Sequence, residues 1–183
     1  SSAASDVYKR QKLDLGDLKS VENLMKHNVP KLLQEIDEGF DIISLVPSCV
    51  LMFKQELPLL FDENDDLKKI KQHIFDPFEY LSDRESKGLM NKSFKNSLGK
   101  IAYQVACHQR VQNIGPKTKE LLEMVPDTEV QAIERCSGHD GTYAVREETH
   151  KNSVKIARPV TRKVDEAEPV SYTHLTLPTI ALV

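Results

Sequence analysis

Three cysteines are the residues whose type and placement offer the most chemistry. Cys49, Cys107 and Cys136 each follow a short run that the sequence predicts to be a β-strand. In open α/β sheets, ligands collect beyond the carboxyl ends of the strands, so three thiols distant in sequence can meet there. Thiolates are soft ligands that suit iron–sulfur clusters, zinc or copper(I). One cysteine alone is more often a small buried hydrophobe, but three at strand ends predict a shared ligand site.

Histidines stand beside two of these thiols. His108 directly follows Cys107, and His139 follows Cys136 after a Ser-Gly pair. One interpretation is a zinc site of three cysteines and one histidine, although structural zinc usually uses closely spaced cysteine pairs, which this chain lacks. In the other interpretation, each imidazole donates a hydrogen bond to a cluster sulfur and tunes its potential.

Two further chemistries have less support. Cys136, His108 and Asp140 could form a catalytic triad, but a triad is defined by geometry that a sequence does not supply. Gly138 and Gly141 flank Asp140 in a loop that enters a helix. This loop lacks the lysine and the glycine spacing of phosphate-binding loops, so it does not predict a nucleotide site.

The elements that position the cysteines predict an α/β fold, with a parallel sheet covered by helices. We expect residues 41–46, 100–106 and 128–134 to be adjacent strands of one sheet. The predicted helices cover residues 17–38, 50–60, 65–89 (as two or three short helices), a stretch opening at 115–116, and 143–163. Pro30 should kink or split the first of them. Thiols at this edge should be partly accessible, and helix starts near Gly115 and Thr142 should favour their thiolate forms.

Composition limits the class of protein. Apolar residues make up 39% and charged residues 29%, which suits a folded domain. With 25 Lys and Arg against 28 Asp and Glu, the net charge of −3 gives no indication of a nucleic-acid partner. No apolar run is long enough to span a membrane. Three cysteines, an odd number, argue against a disulfide framework and favour a reducing compartment. We therefore expect a cytoplasmic protein, or one that is peripheral on the inner face of the membrane.

The two ends differ from the middle. Residues 171–183 carry no Asp, Glu, Lys or Arg, and residues 1–11 are small and polar without periodicity. Both resemble translated sequencing-adapter sequence. We therefore predict that residues 12–170 are the genuine domain, that they are part of a longer protein, and that neither end packs against them.

Three segments together resemble a known family. They are residues 47–49, residues 103–115 with ACHQRVQNIG, and residues 134–143 with ERCSGHDGTY. This pattern resembles the cysteine-rich "CCG" domain of iron–sulfur oxidoreductases. That family includes the B subunit of heterodisulfide reductase, the glycolate oxidase iron–sulfur subunit, and the C subunit of anaerobic glycerol-3-phosphate dehydrogenase. The resemblance is greatest to the last of these and covers about residues 12–170.

The resemblance implies an electron-transfer subunit rather than a complete enzyme. It implies a 4Fe-4S type cluster with Cys49, Cys107 and Cys136 as ligands and with His108 and His139 around it. The implied partners are a flavoprotein dehydrogenase subunit and a membrane or quinone-linked subunit, and electrons would pass to a quinone or thiol acceptor.

The chain departs from the family pattern in ways that leave other functions open. The paired cysteines of the family signature appear here as Cys136-Ser137, and a further Cys-Pro element is absent. A cubane cluster normally takes four thiolates, so three would leave the site incomplete. The alternatives are a zinc-stabilised interaction domain that uses the same cysteines, and a chain that binds no metal at all.

Overall fold

A computed structural model describes residues 12–139 and 143–168, together with the backbone of residues 171–173. It divides the chain into two compact units, Ser1–Tyr80 and Leu81–Val183. Both units contain parallel β-pairing and helices, so the predicted α/β class is confirmed. No helix within the described ranges has the length and apolarity needed to cross a membrane.

The longest element of the first unit is helix α1, Leu18–Asp37. The Asp17 carboxylate caps it by accepting a hydrogen bond from the Ser20 amide at 3.2 Å. Val21, Val29 and Ile36 form its buried stripe. Pro30 lies inside the helix, which continues past it, so the helix is not split there and the predicted kink stays a prediction.

Shorter elements complete the first unit. Strand β1 (Ile42–Ile43) pairs in parallel with β2 (Ile74–Phe75). Between them lie helix α2 (Pro47–Leu51), a π-helical turn (Met52–Glu56), α3 (Leu57–Leu60) and α4 (Asp65–His73). These elements pack on α1 through an apolar core. The core includes Leu57, Leu67, Ile70 and Ile74. Helix α5 (Pro77–Ser86) spans the boundary between the units in the sequence.

The second unit is built on a three-stranded parallel sheet. Its strands are β3 (Gly99–Gln104), β4 (Thr128–Ile133) and β5 (Ser171–Thr173), in the order β4-β3-β5. The short helices α6 (Cys107–Arg110) and α7 (Lys117–Leu122) connect β3 to β4, and α8 (Glu147–Ala167) precedes β5.

The two faces of this sheet bury different residues, because side chains alternate along a strand. Ala102 and Ile133 pack against Val160 and Val164 of α8. On the opposite face, Ile101, Tyr103 and Val130 pack with Leu122 of α7. Helices on both faces produce the covered parallel sheet that the β-loop-α repetition predicts.

The structure corrects two expectations about the strands. The first predicted strand is reduced to β1 and belongs to a separate sheet with β2, because Pro47 already begins a helix and a two-residue strand at Ile74 supplies the partner. The expectation that nothing after residue 170 packs is wrong for β5, which pairs with Ile101–Tyr103. Residues 1–11 and 174–183 lie outside the described ranges, and the non-native origin of the ends stays a prediction.

Candidate functional site

Cys107 and Cys136 occupy equivalent positions beyond two paired strands. Strands β3 and β4 are in parallel register up to the pair Gln104 and Ile133, and each cysteine follows its strand at the same offset. The pairing continues past the strands, because the Val105 amide donates to the Ile133 carbonyl at 3.1 Å. The Cys136 thiol lies close enough to Cys107 for its charge to act on the Cys107 thiol. The structure therefore confirms that these two cysteines converge.

A buried glutamine ties the two loops together. Gln104, at the end of β3, is only 5% exposed. Its Nε2 donates to the Val105 carbonyl at 2.9 Å and to the Arg135 carbonyl, directly before Cys136, at 2.8 Å. One side chain thus satisfies a carbonyl in each loop and holds the loops in register.

Gly138 fixes the loop that carries Cys136. Its amide donates to the Cys136 sulfur at 3.4 Å, and its carbonyl accepts from the Ser153 hydroxyl of α8 at 2.7 Å. Gly138 has φ +75°, and an added Cβ would lie 2.3 Å from the Ser153 carbonyl oxygen. Both the left-handed backbone and the close approach therefore require glycine.

A buried polar chain fixes the loop that carries Cys107. The Tyr103 hydroxyl donates to Oε1 of Gln109 in α6, and Gln109 Nε2 donates to the Thr118 hydroxyl at 3.1 Å. All three side chains are at most 5% exposed. Because each of these polar side chains has a hydrogen-bond partner within the network, the network holds α6 at a fixed place on the sheet.

The pKa of the Cys107 thiol is shifted in the direction opposite to the one expected. The pKa of the Cys107 thiol is raised, first by local desolvation and then by the charge and hydrogen bond of the Cys136 thiol. The Arg110 charge and a backbone hydrogen bond lower the same pKa but do not prevail. The predicted preference for thiolate is therefore wrong for Cys107, although the residue as a whole is exposed. Thr142, whose helix start belonged to that prediction, lies outside the described residues.

Cys49 belongs to the first unit, whereas the other two cysteines belong to the second. It lies in the first turn of α2, is half-buried, and lines a cavity of about 490 Å³ with largely apolar walls. Within the described ranges, no cluster of three or more His, Cys, Asp or Glu side chains could hold a metal ion. A ligand role for Cys49 stays a prediction.

The two histidines lie where the sequence puts them, beside the thiols. His108 is half-buried within α6, and His139 is exposed. Their roles toward a cluster stay predictions. Asp140, the third member of the possible catalytic triad, lies outside the described residues.

A cavity of about 430 Å³ lies in the second unit, on the α7 side of the sheet. Its lining includes Arg110, Asn113, Lys119 and Glu134, with Tyr103 and Gln109 from the buried network. Sequence reasoning missed this cavity and the supporting role of Gln104. The available signal for Gln104 was a long polar side chain at the end of an otherwise apolar strand.

Known proteins include distant relatives of this chain. It is 26% identical over 131 residues to the C subunit of anaerobic glycerol-3-phosphate dehydrogenase from Escherichia coli strain K12, and to the same degree to the protein of that name from strain O157:H7. The match covers 71% of this chain and 32% of each relative, so the chain spans about a third of their length. No family model matches the chain, and no solved structure matches it significantly. The similarity therefore establishes a distant relation to this dehydrogenase component.

Proposed function

We propose that this chain is part of an electron-transfer iron–sulfur subunit of an anaerobic oxidoreductase, similar to the C subunit of glycerol-3-phosphate dehydrogenase. The observation that carries the proposal is the pair of thiols, Cys107 and Cys136, side by side at the carboxyl edge of a parallel sheet. Ligands gather at such edges, and thiolates are the ligands that iron–sulfur clusters use. The distant similarity to the dehydrogenase component supports the same role.

The residues present fit a cluster only in part. A 4Fe-4S cluster normally takes four thiolates, and the described second unit contributes Cys107 and Cys136. A complete cluster at this site therefore needs ligands beyond these two thiols. In the proposal, Cys49 is a third ligand, and an external thiol, water or a histidine completes the set.

The same proposal gives functions to the residues around the two thiols. If a cluster is bound there, His108 and His139 would donate hydrogen bonds to its sulfurs and so make the potential of the centre more positive. Gln104 and the Gly138 loop hold the two ligand segments at a fixed separation. The protein takes electrons from a flavoprotein partner and passes them to a quinone or thiol acceptor, in the cytoplasm or on the inner face of the membrane.

Anaerobic reconstitution tests the proposal. The full chain is incubated with iron, sulfide and a thiol, and bound iron, acid-labile sulfide and visible absorbance are measured. We expect a brown protein with iron and sulfide in equal amounts, and loss of both in C107S and in C136S. A matching loss in C49S would support the third ligand.

Two outcomes contradict the proposal. Colourless protein with stoichiometric zinc would favour the zinc-stabilised interaction domain instead. Folded protein that takes up neither metal would show that these thiols are not cluster ligands in this chain. Circular dichroism of each cysteine variant is the control for folding.

A further inference from the structure

We propose that Cys107 and Cys136 form a reversible intramolecular disulfide site, which a low-molecular-weight disulfide oxidises and a dithiol reduces. The inference goes beyond the proposed function, because it concerns the two thiols when no cluster is bound. It differs also from a structural disulfide framework, because both cysteines are free and exposed in the described structure.

The strand register places the segments that carry the two residues side by side. Neighbouring parallel strands lie about 4.8 Å apart, and a disulfide needs Cα atoms about 4.4–6.8 Å apart. The register pair Gln104 and Ile133 is followed by the same number of residues on each strand before the cysteine. Hydrogen bonds from Val105 to Ile133 and from Gln104 to Arg135 keep the two segments side by side over that interval.

The thiols are also placed for reaction with each other. Both cysteines are exposed and free, and the Cys136 thiol lies close enough to act on the Cys107 thiol. The Gly138 amide donates to the Cys136 sulfur at 3.4 Å and so fixes the place of that sulfur in its loop. In the proposal, Cys136 is the nucleophile, and the neighbouring Cys107 resolves the mixed disulfide.

Two exchange steps complete the oxidation. The Cys136 thiolate attacks one sulfur of the small disulfide, forms a mixed disulfide and releases one thiolate. The Cys107 thiol loses its proton to that thiolate or to water. Its sulfur then attacks the Cys136 sulfur of the mixed disulfide, forming the Cys107–Cys136 bond and releasing the second small thiolate. Two cysteine thiols are oxidised and one small disulfide is reduced to two thiols, with no other co-reactant.

Cys49 provides an internal comparison. It lies in the other unit and is half-buried in the first turn of α2. The register of β3 with β4 does not extend to the segment of Cys49, because β1, the strand before Cys49, pairs with β2. The bridge should therefore form without Cys49.

The experiment uses the full chain, reduced and stripped of metal by a chelator under anaerobic conditions. It is equilibrated with mixtures of oxidised and reduced glutathione, and free thiols are capped with iodoacetamide and mapped by peptide mass spectrometry. We expect the three thiols of the chain to fall to one as the bridge forms, in a monomeric product two hydrogen atoms lighter. C49S should form the same bridge, whereas C107S should retain a glutathione adduct on Cys136.

Three results would overturn the proposal: stable glutathione adducts on both cysteines of the wild type, a bridge that includes Cys49, or a bridge between two chains. The iron content after reconstitution is measured on a separate sample. A chain that forms the bridge but takes no iron refutes only the proposed function, and one that takes iron but never bridges refutes only this inference.

Discussion

Substitution of Gly138 by alanine tests how the Cys136 loop is held against α8. The added Cβ would lie 2.3 Å from the Ser153 carbonyl oxygen, where ordinary contacts begin at 3.4 Å, so loop and helix must separate by about 1.1 Å. The three nearest atoms are the Ser153 carbonyl oxygen and carbon, which are backbone, and the Ser153 hydroxyl oxygen of a short side chain, so no long flexible group can move aside. The separation also strains the 2.7 Å hydrogen bond from the Ser153 hydroxyl to the Gly138 carbonyl.

The expected magnitude has two parts. Alanine in the left-handed region costs about 1 kcal/mol. The forced contact and the weakened hydrogen bond add about 2 kcal/mol. Gly115→Ala is the matched control, because Gly115 has φ +77° and nothing within 4 Å of its added Cβ. G115A therefore reports the backbone cost alone, and the difference between the two variants reports the contact with α8.

Thermal and urea unfolding followed by circular dichroism measure that difference. We expect G138A to melt about 10 °C below G115A, which corresponds to about 2 kcal/mol for a unit of this size. Equal melting temperatures for the two variants would refute the close approach of Gly138 to α8. A destabilised G115A with an unaffected G138A would refute the assignment of the backbone conformations as well.

Three further perturbations test the surroundings of the thiols. C136S should lower the pKa of Cys107 toward its ordinary value without fully restoring it, because desolvation, the largest cause of the shift, remains while the charge of the Cys136 thiol disappears; the pH dependence of alkylation measures this shift. Because the pKa of wild-type Cys107 is raised on folding, its contribution to stability is present below the unfolded pKa and is lost as the pH rises through the folded pKa. C136S should make that loss smaller in alkaline unfolding curves. T118V should cost about 1–3 kcal/mol in urea unfolding, because it removes the hydroxyl that accepts a hydrogen bond from the buried Gln109 amide, whereas T118S keeps the hydroxyl and should cost less. Q104M should cost about 2 kcal/mol and slow bridge formation, since the hydrogen bond across to the Arg135 carbonyl is lost together with the one to the adjacent Val105 carbonyl; an unchanged rate would contradict the positioning role of Gln104.

The sequence predicts the second unit better than the first for a physical reason. Strands β3 and β4 each have six residues, and their apolar positions are spaced so that a local pattern identifies them. Strand β1 has two residues, and its partner Ile74–Phe75 lies at the end of an amphipathic helix. Pairing between segments this short depends on how α1 and α4 pack, and no local pattern encodes that.

The supporting residues of the site show the same limit. Gln104 and Gln109 are polar side chains in an apolar neighbourhood, and their burial is compatible only with specific partners. Those partners, Arg135 and Thr118, lie in other loops and helices. The sequence shows that position 138 is glycine, but it does not show that this glycine contacts Ser153 of α8. Residue type therefore indicates which positions are structurally restricted, and the fold is needed to identify the contacts that restrict them.

Connectivity decides which cysteines can be placed together from sequence. Strands β3 and β4 are joined by a single connection through α6 and α7, and such a β-α-β crossover returns the chain beside the strand it left. Cysteines at the same offset beyond both strands must then meet at one edge. Between β1 and β3 the chain instead forms four α-helices and a π-helical turn, and β1 finds its partner in β2. The rule that places Cys107 beside Cys136 therefore does not extend to Cys49, and metal reconstitution of C49S is the measurement that decides whether the third thiol acts with the other two.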